Sequence, residues 1–82
     1  MLLVKGTILR KVQKETKNGN ILHDLVVFDA EHSTETIKVT GTDDLLGVFQ
    51  KGDTVELSVN ASEFKGNVQF FANEVLDNEL AS

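Results

Sequence analysis

The chain contains no cysteine, no proline, no tryptophan and no tyrosine. Without cysteine, no disulfide can hold a small domain together and no thiolate metal site can form. No apolar run approaches the length of about 18 residues that a membrane-spanning helix needs. The apolar start "MLLVKGTILRK" is interrupted early by Lys5 and is too short for a signal peptide. A cytoplasmic location with no membrane partner is therefore expected, and the acceptor pattern Asn60-Ala61-Ser62 carries no weight without a secretory signal. His23 and His32 are the only histidines and lack H-x-x-x-H spacing, so no metal site is expected. Ser33, Ser58, Ser62 and Ser82 have no nucleophile-elbow context, and the six glycines are scattered over turns rather than gathered in a phosphate loop. Asp43 and Asp44 suit the start of a helix better than paired acid and base carboxylates. No catalytic residue and no cofactor is expected, and the protein reads as a non-enzyme.

What is present fits one small domain of 82 residues. A domain of this size buries only roughly 60–65 % of its unfolded surface, so it needs a compact apolar core or a second chain. The net charge of −5 is unevenly distributed. Lys5, Arg10, Lys11, Lys14 and Lys17 stand against Glu15 alone in residues 1–20, a net of +4. Residues 21–82 hold three lysines against twelve acids, a net of −9. The anionic body argues against a protein coated in nucleic acid, whereas the basic segment keeps a local contact open. The same segment also reads as a hairpin that is simply well solvated.

The dominant pattern is strand. "LLVKGTILRKV" is aliphatic and β-branched, with Val4, Ile8 and Val12 on one parity, and Gly6 suggests a bulge or bend. Asn18-Gly19 in "KNGN" is a strong hairpin signal, because both central positions of the favoured turn need positive φ. "ILHDLVVFD" is apolar on both parities, which predicts packing on each side of it. "AEHST" reads as a turn. "ETIKVTG" puts Ile37 and Val39 inward and Thr36, Lys38 and Thr40 outward. In "TDDLLGVFQKGD" the spacing of Leu45, Leu46 and Phe49 predicts one or two helical turns capped by Thr42 or Asp43. "TVELSVNA" alternates with Val55, Leu57 and Val59 inward; "SEFKGN" is a turn, "VQFFANEV" a last strand, and "LDNELAS" a frayed polar tail.

The order β, β, β, short helix, β, β is that of an all-β, five-stranded OB-fold barrel, over residues 1–76, with 77–82 as a short acidic tail. An SH3-like barrel competes but lacks a helix at this position. Barrels of the OB type bind single strands through a cationic groove and rings on which bases stack. Their usual platform is the face of strands 2 and 3 with the loops after strands 1 and 4. Here both loops carry lysine and glycine, and Lys38 projects between them. All five aromatics are phenylalanine. Phe49 is expected to plug one end of the barrel. On the last strand, Val68, Phe70 and Ala72 form the smoother inward set, which leaves Phe71 outside. Phe64 lies in a turn, and Phe28 at a strand end fits either side.

"VKGTILRKVQKETKNGNILHDLVVFD" resembles the opening hairpin of OB-fold single-stranded-DNA-binding proteins, and "KGDTVELSVNASEFKGNVQFFANEV" is similar to their strand 4–loop–strand 5 unit. In size and layout the chain looks most like the small helix-destabilising proteins of bacteriophages. That resemblance implies Lys14, Lys17, Lys38 and Lys65 on phosphates, with Arg10 from the same basic segment, and Phe28, Phe64 and Phe71 on bases. It also implies a homodimer, single-stranded DNA as ligand with RNA as an alternative, and other replication proteins as partners. The chain departs from the family in lacking tyrosine and in its acidity. A second reading is a protein-interaction subunit of a larger complex, built on the same barrel.

Overall fold

The computed structural model describes residues 2–29, 31 and 34–81, and of Phe64 the backbone alone. The elements run β1 (Leu2–Glu15), β2 (Ile21–Phe28), β3 (Thr36–Thr42), α1 (Asp43–Leu46), β4 (Thr54–Phe64) and β5 (Asn67–Glu79). The protein is thus nearly all-β with one short helix, in the order its sequence predicts. The turn expected over "AEHST" lies largely outside the described residues. The sheet closes on itself as β1-β2-β3-β5-β4. Every junction is antiparallel except β3 with β5, where Val39 meets Phe70 and Thr40 meets Phe71.

Closure depends on β1 serving two partners. Its first half, Leu2–Thr7, pairs with Val59–Thr54 of β4. Its second half, Thr7–Glu15, pairs with β2. Gly6 sits at the changeover, where a Cβ would strike the Phe28 carbonyl oxygen and lie 2.6 Å from its carbon. Only a residue without a side chain lets the strands approach so closely there.

Just beyond, the pairing with β2 slips between Ile8 and Arg10, leaving Leu9 as an extra residue. Such a bulge reverses which side each later residue faces. Ile8, paired with Val27, is fully buried. After the bulge, Lys11 takes the inward parity opposite Leu25, while Arg10, Val12 and Lys14 face outward opposite Val26, Asp24 and Leu22. Val12 therefore leaves the Val4–Ile8 set and lies half-buried on the outer surface. The inward Lys11 is satisfied by donating to the carbonyls of Gly47 (2.8 Å) and Phe49 (2.6 Å), just past the helix.

Val4, Ile8, Leu25, Val27, Val39, Leu46, Phe49, Val55, Leu57 and Val59 fill the interior. Val55, Leu57 and Val59 are the inward set that the alternation of β4 predicts, and Phe49 is buried as expected. The single-turn helix is held from two sides. Leu46 inserts completely, and His23 Nε2 lies 2.6 Å from Asp43 Oδ1. Asp43 is thereby a tie to β2 rather than a cap, and Thr42 at the N-cap makes no side-chain cap bond. The buried His23 Nδ1 has no hydrogen-bond partner among the described residues.

Asp53, which reads from the sequence only as part of a turn, is a second tie. It is 4 % exposed, and its carboxylate accepts from the amides of Gln50 (2.8 Å) and Ala81 (2.7 Å). Its own carbonyl accepts from Ile8 N at 2.8 Å, beside the bulge. Asp53→Ala removes two hydrogen bonds whose donors belong to exposed residues, each worth about 0.5–1.5 kcal/mol net. An expected loss of about 1–3 kcal/mol follows, read as a lower urea midpoint with unchanged slope. Asp53→Asn should recover part of it.

Three local expectations are corrected. At the β1–β2 turn, Thr16 O accepts from Gly19 N (3.0 Å) and only Gly19 has positive φ, at 83°. Lys17 and Asn18 are thus the central pair, with Gly19 following as the left-handed residue of a three-residue loop. The two-residue turn with both central φ positive is instead Lys65-Gly66, at 52° and 81°. Second, β5 runs on through Glu79, pairing Asp77, Asn78 and Glu79 with Glu56, Val55 and Thr54. The end is anchored rather than frayed, because Asp53 holds Ala81. Third, Val68 is 59 % exposed although Phe70 and Ala72 pack on the core. The β4–β5 hairpin outruns the ring: β1 pairs no further along β4 than Val59, and the tip, with Val68, projects beyond the interior.

Candidate functional site

Residues opposite one another in a ladder point to the same side of a sheet. Tracing the outer face row by row therefore shows what the bulge brings together. One row is Arg10, Val26 and Lys38; the next is Val12, Asp24, Thr40 and Phe71; the third is Lys14, Leu22 and Thr42. Phe28 and Thr36 lie beyond the Arg10 row. Neighbouring strands are about 4.8 Å apart and same-face residues about 6.7 Å apart along a strand, so the patch spans roughly 15 Å each way.

Arg10, Lys14, Phe28, Lys38 and Phe71 thus share one surface. Arg10 and Lys38 are exposed, Phe28 is half-buried and Phe71 is 39 % exposed. Phe71 faces out and Phe70 in, as alternation requires. Lys17 and Lys65 sit on the tips of the β1–β2 and β4–β5 turns rather than on the face. The Phe64 side chain lies outside the described residues. A groove of about 720 Å³ runs between β3 and the projecting hairpin, lined by Lys14, Leu22, Lys38, Thr40 and Phe71 among others. A smaller groove of about 380 Å³ on the opposite flank is lined by Lys5, Glu56, Asp77 and Glu79 and has no ring.

At the centre of the face is a group that pattern reading passed over. Asp24 is 7 % exposed. Its Oδ2 lies 2.8 Å from Lys14 Nζ, and its Oδ1 accepts from Thr40 Oγ1 at 2.6 Å. The sequence carried a signal for it: a carboxylate inside the apolar run "ILHDLVVF" cannot be buried without partners. Burial alone would raise its pKa. Hydrogen bonds from Lys14 and Thr40, with the charges of Lys14 and Lys38, outweigh that and hold the carboxyl below its ordinary value. Because the folded value is the lower one, the stabilisation is complete above the unfolded pKa of about 3.9. It is lost as pH falls through the folded value. Thermal stability is expected to drop on acidification below about pH 4, and Asp24→Asn to flatten that part of the profile.

No group of three or more potential metal ligands occurs among the described residues. No helix among them is long and apolar enough to cross a membrane. No family model, no curated protein and no solved structure matches the chain.

Proposed function

We propose that the chain is an OB-fold module that holds single-stranded nucleic acid, DNA first and RNA as the alternative, without chemistry. The observation that carries this is the shared outer surface of Arg10, Lys14, Lys38, Phe28 and Phe71, beside a groove on β3. The strand order and the helix between β3 and β4 support the OB reading, as does the position of the face on strands 2 and 3. Cations take the phosphates, and Phe71 and Phe28 offer stacking worth about 1–3 kcal/mol per base. With so few rings, one copy binds modestly, and a homodimer doubles the platform. Such a protein fits DNA replication or recombination of the bacteriophage type, in a cytoplasmic setting and alongside other replication proteins.

Fluorescence anisotropy with labelled oligo-dT at low and high salt tests the reading. Binding should weaken steeply with salt, because each phosphate contact releases counterions. Absence of binding at low salt, or indifference to salt, rejects it.

A second reading, a protein-interaction subunit, is favoured by the opposite flank. There Glu56, Glu74, Asp77 and Glu79 face outward with Lys5, and Leu3 is 56 % exposed. That surface repels phosphates. The interaction reading prevails if oligo-dT leaves the chemical shifts of Lys38 and Phe71 unmoved.

A further inference from the structure

The cations of the outer face are not equivalent. Lys14 Nζ lies 2.8 Å from Asp24 Oδ2, and the Asp24 side chain is only 9 % exposed. Thr40 Oγ1 fixes the other carboxylate oxygen at 2.6 Å. A phosphate that captured Lys14 would strip a buried, immobilised carboxylate of its counter-charge, which is far costlier than breaking an exposed pair. Arg10 and Lys38, both exposed, make no ion pair among the described residues. Asp24 also stands in the middle row, between Val12 and Thr40 and in line with Phe71. With Asp24 and Lys14 neutralising each other, the centre offers no free cation and is left to uncharged base faces.

Resting on the reading of this face as a nucleic-acid interface, we infer that Asp24 is a brake on affinity. It withdraws Lys14 from the ligand, confines phosphates to the rim at Arg10 and Lys38, and keeps the bound strand readily released. Lys14 is then a positioning residue that shapes the centre of the face.

The test compares oligo-dT binding by the wild type, by Asp24→Asn and by Asp24→Asn/Lys14→Met. It is joined to acetic-anhydride labelling of the wild type, with modification at each lysine read by mass spectrometry. Asparagine can still accept from Thr40, so the single variant is expected to fold, melting somewhat below the wild type near neutral pH because the Lys14 ion pair is lost. Asp24→Asn is expected to bind on the order of fivefold more tightly at low salt, with a salt slope steeper by about 0.7, the value of one added phosphate contact on a single strand. The gain should vanish in the double variant, because it runs through Lys14. In the labelling arm, Lys14 should react more slowly than Lys38.

Salt-dependent binding by the wild type with no gain in a folded Asp24→Asn overturns the inference alone, as does a gain that persists in the double variant. Lys14 labelled as fast as Lys38 overturns it even if Asp24→Asn fails to fold. Absence of salt-dependent binding in the wild type and the variants alike overturns the functional reading and the brake together.

Discussion

Gly6→Ala is expected to cost about 3 kcal/mol or more, a large share of the roughly 4–12 kcal/mol available to a domain of this size. The added Cβ would meet the carbonyl oxygen of Phe28, its carbon at 2.6 Å and Asp29 N at 3.0 Å. These are backbone atoms, so no side chain can swing aside. Relief requires moving β1 away from β2 where Thr7 pairs with Phe28 on one side and Thr54 on the other. Either shift opens the ring. Gly19→Ala is the matched control: its φ is 83° but nothing lies within 4 Å of an added Cβ. Its cost is the ordinary left-handed penalty of about 1–2 kcal/mol. Urea unfolding followed by circular dichroism separates the two. A Gly6→Ala midpoint no lower than that of Gly19→Ala refutes the close-approach argument.

Arg10→Glu/Lys38→Glu is expected to weaken oligo-dT binding on the order of tenfold or more and to reduce the salt slope by about 1.4, two phosphate contacts on a single strand. Both side chains are exposed and flank Val26 in one row. Their reversal should therefore cost stability only through the lost attraction of Lys38 for Asp24, on the order of 1 kcal/mol. The comparison is Lys5→Glu/Lys51→Glu, which changes the net charge equally at positions off the face. If charge acts only globally, the two double variants lose affinity alike and the interface is misplaced. If the row is the contact, the control retains most of the binding.

How far the chain could be read without coordinates depended on the range of the interaction. Alternation in "TVELSVNA" is local, so Val55, Leu57 and Val59 are legible directly, and the outward turn of Phe71 follows from its neighbour Phe70 being inward. Leu45, Leu46 and Phe49 mark the helix because their spacing matches no strand. Val12 was not legible: its side depends on Leu9 being skipped by β2, a choice made by the fit of two distant strands to Gly6 and the Asp53 turn. The turn residues show a similar limit. Asn18-Gly19 suits left-handed backbone better than Lys65-Gly66, yet Lys65-Gly66 adopts the two-residue form, which is set by the register of the flanking strands. Asp24 was passed over within its apolar run, because its partners lie ten residues before it on β1 and sixteen after it on β3. Only the closed sheet reveals that the basic segment's Lys14 is already engaged.

The divided allegiance of β1 also shapes how the chain reaches this state. Its second half finds β2 across a short loop, and β4 finds β5 across another. Leu2–Thr7, however, must wait for Thr54–Val59, which lies beyond β2, β3 and α1 in the chain. Loop-closure entropy is paid before that contact returns anything, which slows the collapse of a chain that would otherwise zip up locally. During synthesis the first half of β1 leaves the ribosome with a bare edge, and it stays so until Thr54–Val59 has emerged.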